Sequence, residues 1–167
     1  MDGVWFGNNT TDQPTLWRQA FPPDITFSLV TYKNPHGTIS NSDLGLAGYV
    51  THNNVLTSMT NIESTTMASC TDNTLALYWT KIGSMSTSMP AAYLLQLQAL
   101  HQWHYCYHSR TANIAGTANV MADYCSWSWH LMDEQLLTHF NLHYPQSLLW
   151  QQCTLWPKMN SALLSAL

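Results

Sequence analysis

The chain has 167 residues, enough for one domain with a sizeable core, and 46% of them are hydrophobic, with eight Trp and eight Tyr. Charged residues make up only 8%, far below the roughly 25% usual in globular domains, and the net charge is −4. That balance argues against a strong electrostatic footprint for nucleic acid, which needs clustered Lys and Arg. Only Arg18, Lys33, Lys81, Arg110 and Lys158 are present, none close to another in sequence. Polar surface must come from Asn, Thr, Ser, Gln and His, and so weakly charged a chain is expected to be poorly soluble alone or attached to something.

Cys70, Cys106, Cys125 and Cys153 are widely spaced with no C-x-x-C, which fits neither a zinc knuckle nor a dense disulfide framework. No basic and apolar leader is visible, and no apolar run is long enough to span a bilayer. The expectation is an intracellular protein with reduced thiols and no membrane association.

In chain order, "GVWFG" reads as a short strand, "TLWRQAF" as another, and "ITFSLVTY" as a third extended piece after the "PPD" break. From Ser42 to about Ser58 the apolar spacing predicts a helix. Ser42 is a good N-cap, and a capping box begun there would place Glu or Gln three residues on. Position 45 is instead glycine, which costs about 1 kcal/mol relative to alanine inside a helix. "TTMASCT" is a buried-strand candidate, followed by a helix beginning at Asp72 or Asn73. "PAAYLLQLQALHQWHYCYH" opens on Pro90 and carries Leu94, Leu97, Leu100 and Trp103 at helical spacing. "TANIAG" suggests a brief strand, "TANVMADYCSWSW" and "DEQLLTHF" suggest helices, and "NSALLSAL" closes the chain as a helix. Strands first, then strand and helix alternating, predict a mixed α/β sheet with helices packed on it.

Acidic residues are few, so their placement is informative. Asp72 falls where a strand passes into a helix, and Asp123 falls in a later helix after a glycine turn. Ends of strands in open sheets are where sites form. Two-metal phosphodiester cleavage needs several carboxylates converging on Mg²⁺ ions about 4 Å apart. The plainer alternative makes Asp72 a helix cap and Asp123 part of a solvated face.

The ordered set "VWF", "LWRQAFPPDI", "NPHGTISNSDLGLAG", "CTDNTLALYWTKIGS", "PAAYLLQLQAL" and "IAGTANVMAD" resembles the RNase H-like domain of retrotransposon polyproteins, which follows a reverse transcriptase. The likeness runs from about Gly3 to Trp129. It implies residues 1–130 as an RNase H-like domain and 131–167 as a helical tail or linker. It also implies a five-stranded mixed sheet flanked by helices, here with its first strand incomplete, and four acidic ligands for Mg²⁺. Asp72 matches the third ligand, in a "DN" motif, and Asp123 matches the fourth, in "NVMAD". The second, a glutamate in the helix that starts "NSDLELA", corresponds to Gly45. The missing helix residue is thus a missing metal ligand.

The first aspartate of the family precedes the "GVWF" segment, ahead of Met1. Asp2 stands where the family has glycine and is not given the role. Asn113 stands where the related viral enzymes carry a loop histidine. Asp43 cannot substitute, because residues two apart on a helix point about 200° apart. The resemblance therefore implies an ancestral hydrolase of the RNA strand of RNA–DNA hybrids, partnered with a reverse transcriptase of the same polyprotein. Two of its four ligands remain, and activity is not expected. The alternatives are a non-catalytic interaction or structural domain on the same fold, and a His-rich metal-binding protein.

The metal-binding alternative rests on His101, His104 and His108, spaced as one helical stripe that would suit Zn, Cu or Ni. Without a nearby carboxylate, surface polarity near a helix end is the simpler reading, and no tight metal is expected there. Trp127, Trp129, Trp150 and Trp156 could stack bases, but without interleaved basic residues core packing explains them better.

Overall fold

A computed structural model of the chain describes residues 1–7, 12–84, 87–155 and 157–167. Strands β1 (Asp2–Trp5) and β2 (Thr15–Arg18) form an antiparallel pair, and β5 (Gln151–Gln152) joins β2 in parallel. Strands β3 (Thr66–Thr71) and β4 (His108–Asn113) form a separate parallel pair. The helices are α1 (Pro23–Phe27), α2 (Asn41–Met59), α3 (Thr74–Ile82), α4 (Met89–His104), α5 (Val120–Trp127), α6 (Asp133–His143) and α7 (Pro157–Ala166). The mixed α/β class is as expected. The single five-stranded sheet is not: the described residues form sheets of three and two strands, because β1 and β3 do not pair.

Local chemistry explains most of the elements. Gly3 sits opposite Trp17, and a Cβ there would fall 2.7 Å from the indole nitrogen, so only glycine lets the buried Trp17 lie across β1. Helix α3 is capped by Asn73, whose Oδ1 accepts from the amide of Ala76 at 2.9 Å, and it ends on Gly83 in the left-handed conformation, φ 69°. Asp72 is therefore not the cap. Pro90 lies in the first turn of α4 after the Ser88 cap, as its position in the sequence predicts.

Three expectations are corrected. The "ITFSLVTY" stretch is not extended throughout: Pro23–Phe27 make a short helix led by a first-turn proline. The capping box of α2 starts at Ser40, two residues before the one proposed from sequence. The Ser40 hydroxyl accepts from the Asp43 amide at 3.2 Å, while Asp43 accepts from the Ser40 amide at 2.7 Å. Asp43 supplies the acidic partner that Gly45 appeared to lack, so the box is complete and Gly45 lies beyond it. Finally, α4 stops at His104. Cys106 takes a left-handed φ of 51° and turns the chain into β4, which carries His108.

Two apolar clusters hold the molecule together. One joins Leu46, Ala47, Tyr49 and Val50 of α2 to Ala76 and Trp79 of α3, Ala91 and Leu94 of α4, and Leu163 of α7. The other joins Leu16 of β2 and Cys125 of α5 to Leu136 and Phe140 of α6 and to Trp150. Residues beyond 130 thus contribute to both clusters. No described helix is long and apolar enough to cross a membrane.

Candidate functional site

The failure of β1 and β3 to pair leaves a cavity of about 600 Å³ between them. Its walls are β1, the end of β3, the first turns of α2, and α5. Asp72 follows the last residue of β3 and is exposed at the cavity mouth, whereas Asp123 projects from the half-buried side of α5. Gly45 lies on the same wall as Asn73; a Cβ added to it would meet the Asn73 amide nitrogen at 2.6 Å. The three residues singled out from the sequence therefore meet at one cavity. Asn113 ends β4 opposite Thr71 and is exposed, with Ile114 rather than Asn113 lining the space.

The structure adds a residue to which the sequence reading gave no role. Asp2, the first residue of β1, lines the cavity and accepts a short hydrogen bond from the Ser126 hydroxyl of α5. Burial raises its carboxyl above the usual range, and the nearby charges of Asp123 and Asp72 add to that, against the opposing pull of Ser126 and the α-amino group. Asp123 is raised too, by burial first and then by Asp72. Three carboxyl groups thus share one electrostatic site. The signal available in sequence was only an acid at the start of a strand, which by itself is uninformative.

Among the described residues no Lys or Arg side chain lines the cavity. The Met1 α-amino group does reach it, but donates to the Gln19 carbonyl at 3.0 Å. His52 on α2 also lines the space, and burial lowers its pKa to about 4. Its Nδ1 accepts from the Trp17 indole at 3.3 Å, which requires that nitrogen to be unprotonated. Asp43 is turned elsewhere, its second oxygen accepting from the Ser88 hydroxyl at 2.5 Å, so it ties the start of α2 to the start of α4.

The histidine stripe does not exist as a surface. His101 is buried, with Nδ1 2.9 Å from the Tyr107 hydroxyl and Nε2 3.3 Å from the amide nitrogen of Asn54. The Asn54 amide nitrogen can only donate, which matches an unprotonated Nε2, and the Thr57 hydroxyl, also 3.3 Å from Nε2, can donate to it as well. Burial, then the neighbouring His104, lowers the His101 pKa to about 4. His104 is exposed near the end of α4, and His108 is on β4. Of the tryptophans, Trp150 is core, Trp127 is exposed, and Trp129 has the Arg18 guanidinium 5.2 Å from its ring centre. Trp156 lies outside the described residues. Among the described residues no group of three or more His, Cys, Asp or Glu is placed to hold a metal ion.

No protein-family model matches the chain, and no curated protein or solved structure is similar to it at a significant level.

Proposed function

We propose that the chain is an RNase H-like domain of retroelement origin, which in its ancestral polyprotein would follow a reverse transcriptase, and that it does not hydrolyse RNA–DNA hybrids. The observation that supports the reading is the meeting of Asp72, Asp123 and Gly45, residues far apart in sequence, at one cavity. Inactivity follows from what surrounds them. Clamping both sides of a scissile phosphate takes several carboxylates per pair of ions. The described residues offer no such group, and Asp2 and Asp123 hold their protons more tightly than ordinary aspartates. The residues present do not fit Mg²⁺. With no Lys or Arg among the described residues that line the cavity, a hybrid would have little phosphate contact to hold it.

A non-catalytic interaction domain is the second reading. It is favoured by large apolar side chains left in solvent, among them Tyr32, Trp103 and Trp127.

The test is cleavage of a labelled RNA–DNA hybrid in Mg²⁺. The chain should leave the hybrid intact. Gly45→Glu, together with an upstream Asp-bearing strand segment, should restore Mg²⁺-dependent cleavage, and Asp72→Asn should then remove it. Cleavage by the unaltered chain that Asp72→Asn does not change would overturn the assignment.

A further inference from the structure

Helix α4 carries apolar side chains on two opposite faces, and its 16 residues include no Asp, Glu, Lys or Arg. One face is buried in the fold. Ala91 and Leu94 join the cluster with α2, α3 and α7, Gln98 is buried beside the Tyr107 hydroxyl, and His101 meets Asn54 of α2. On the other face stand Met89, Tyr93, Gln96, Leu100 and Trp103, all exposed. The row Leu94, Leu97, Leu100 and Trp103 read from the sequence crosses from the first face to the second. Each step of three residues falls about 60° short of a full helical turn. An ordinary surface helix is charged on its outer side, whereas a helix that is apolar all round is covered on both sides.

The exposed row has a period of its own. From Met89 to Trp103 its steps are four, three, four and three residues, the alternation that makes a coiled-coil seam. Met89, Gln96 and Trp103 hold one of the two core positions, and Tyr93 and Leu100 hold the other. A partner for such a seam is another helix with the same spacing.

Three features make a second copy of this chain that partner. The face is free of Asp, Glu, Lys and Arg, so two identical faces meet without repulsion and without stranding an ion. The polar member of the row, Gln96, lies at its middle, and its amide both donates and accepts, so it can be satisfied by another Gln96. The area is also sufficient. Trp103 is 79% exposed, Leu100 65%, Met89 63% and Tyr93 50%. Typical side-chain areas then put about 400 Å² per copy into a contact. Pairing doubles that, and the exposed Gln96, Ala99 and His104 bring the total past the roughly 1,000 Å² that a specific interface needs.

We propose that the outer face of α4 is a dimer interface, in which the Met89–Trp103 seam of one copy packs on the same seam of another. The contact is at the small end of the range for specific interfaces, so the dimer forms reversibly. This gives the interaction-domain reading a partner. None of the seam residues lines the cavity, so the outcome is independent of hybrid cleavage.

The test is sedimentation of the full chain over a concentration series. The chain should pass from monomer to dimer and stop there. Leu100→Lys puts an ammonium group into the seam and should raise the dissociation constant at least tenfold, with an unchanged circular dichroism spectrum. Leu142→Lys, at an exposed position of α6, should leave the dimer as it was. With the exposed Cys70 and Cys106 changed to serine, Gln96→Cys should be joined to its copy by a short bismaleimide, and Leu142→Cys should not. A chain that stays monomeric up to about 200 µM, where even a weak specific dimer is populated, would overturn the proposal and leave the face to a different protein segment. So would a dimer that Leu100→Lys does not weaken, aggregates of no fixed size, or Gln96→Cys that fails to cross-link. A monomer would still leave the interaction-domain reading its other exposed side chains, Tyr32 and Trp127.

Discussion

The corner where β2 meets α5 and α6 and the cavity between β1 and β3 are built from the same scarce charges, handled in opposite ways. Arg18 is nearly buried, and its guanidinium donates to the carbonyls of Ser128 and Leu131 at 2.8 Å and to Asp133 at 2.6 Å, with Trp129 beside it. The Arg18 hydrogen bond is the leading cause that holds Asp133 below the ordinary carboxylate range. At the cavity, Asp2 and Asp123 are pushed the other way, and Ser69 has no partner. One acid in the first region is answered by a cation and stabilises the fold. The acids in the second repel one another, with no cation to answer them among the described side chains.

Acid should separate the regions most strongly. His52 and His101 are held neutral down to about pH 4, against 6.5 in the unfolded chain. Between those values the unfolded state binds more protons, so stability falls as pH drops from 6.5 to 4, by up to about 1.4 kcal/mol per pH unit for each group. The raised carboxyl of Asp2 works in the opposite sense, because the folded state keeps its proton above pH 3.8. Urea titrations across that window should show the net loss. His101→Gln should flatten the slope, and an unchanged slope would remove His101 from the account.

Next in size is Arg18→Met, which keeps the stem but strands two carbonyls and a carboxylate. It should cost about 2 kcal/mol, the range for charge-assisted hydrogen bonds, read as a lower urea midpoint. A cost near zero would mean that water replaces the guanidinium freely and that the corner is less dry than its burial implies.

The smallest effect compares two glycines on one helix. Gly48→Ala has open space before it and should stabilise by about 1 kcal/mol. Gly45→Ala must push the Asn73 side chain, which caps α3 and also donates to the Asn41 carbonyl at 3.2 Å. Loss of that cap offsets the helical gain, so Gly45→Ala should be neutral or destabilising in thermal melts. Equal gains at both positions would show that Asn73 moves aside without cost, and would ease restoration of an acid at 45.

The sequence pointed to several of the residues that line the cavity. The strand-to-helix boundary at Asp72 and the helix bearing Asp123 were legible from local pattern, whereas Gly45 was singled out by the family resemblance and not by the capping box first read around it. Asp2 was not, because its role depends on α5 and β3 arriving beside β1. His101, His104 and His108 misled for a related reason. Their three- and four-residue spacing is helical, but the left-handed turn at Cys106 ends the helix inside the stripe. In the same way, Ser42 and Gly45 suggested a broken capping box, while the real box used Ser40 and Asp43 two residues earlier.

By itself the sequence determined the alternation of strands and helices, the start of α3 near Asn73 and the poverty of basic surface; on α4 the expected stripe of Leu94, Leu97, Leu100 and Trp103 is not the buried face, which is Ala91, Leu94, Gln98 and His101, with Leu100 and Trp103 in solvent. The features it determined depend on side-chain period, capping chemistry and composition, all of which act within a few residues. Tertiary structure alone decided that β1 and β3 stay apart, that α6 and α7 join the cores, and that Asp2 shares a cavity with Asp72 and Asp123. Strand pairing and carboxyl convergence are set by backbone hydrogen bonds and packing between segments distant in sequence, and no local pattern encodes which edges meet.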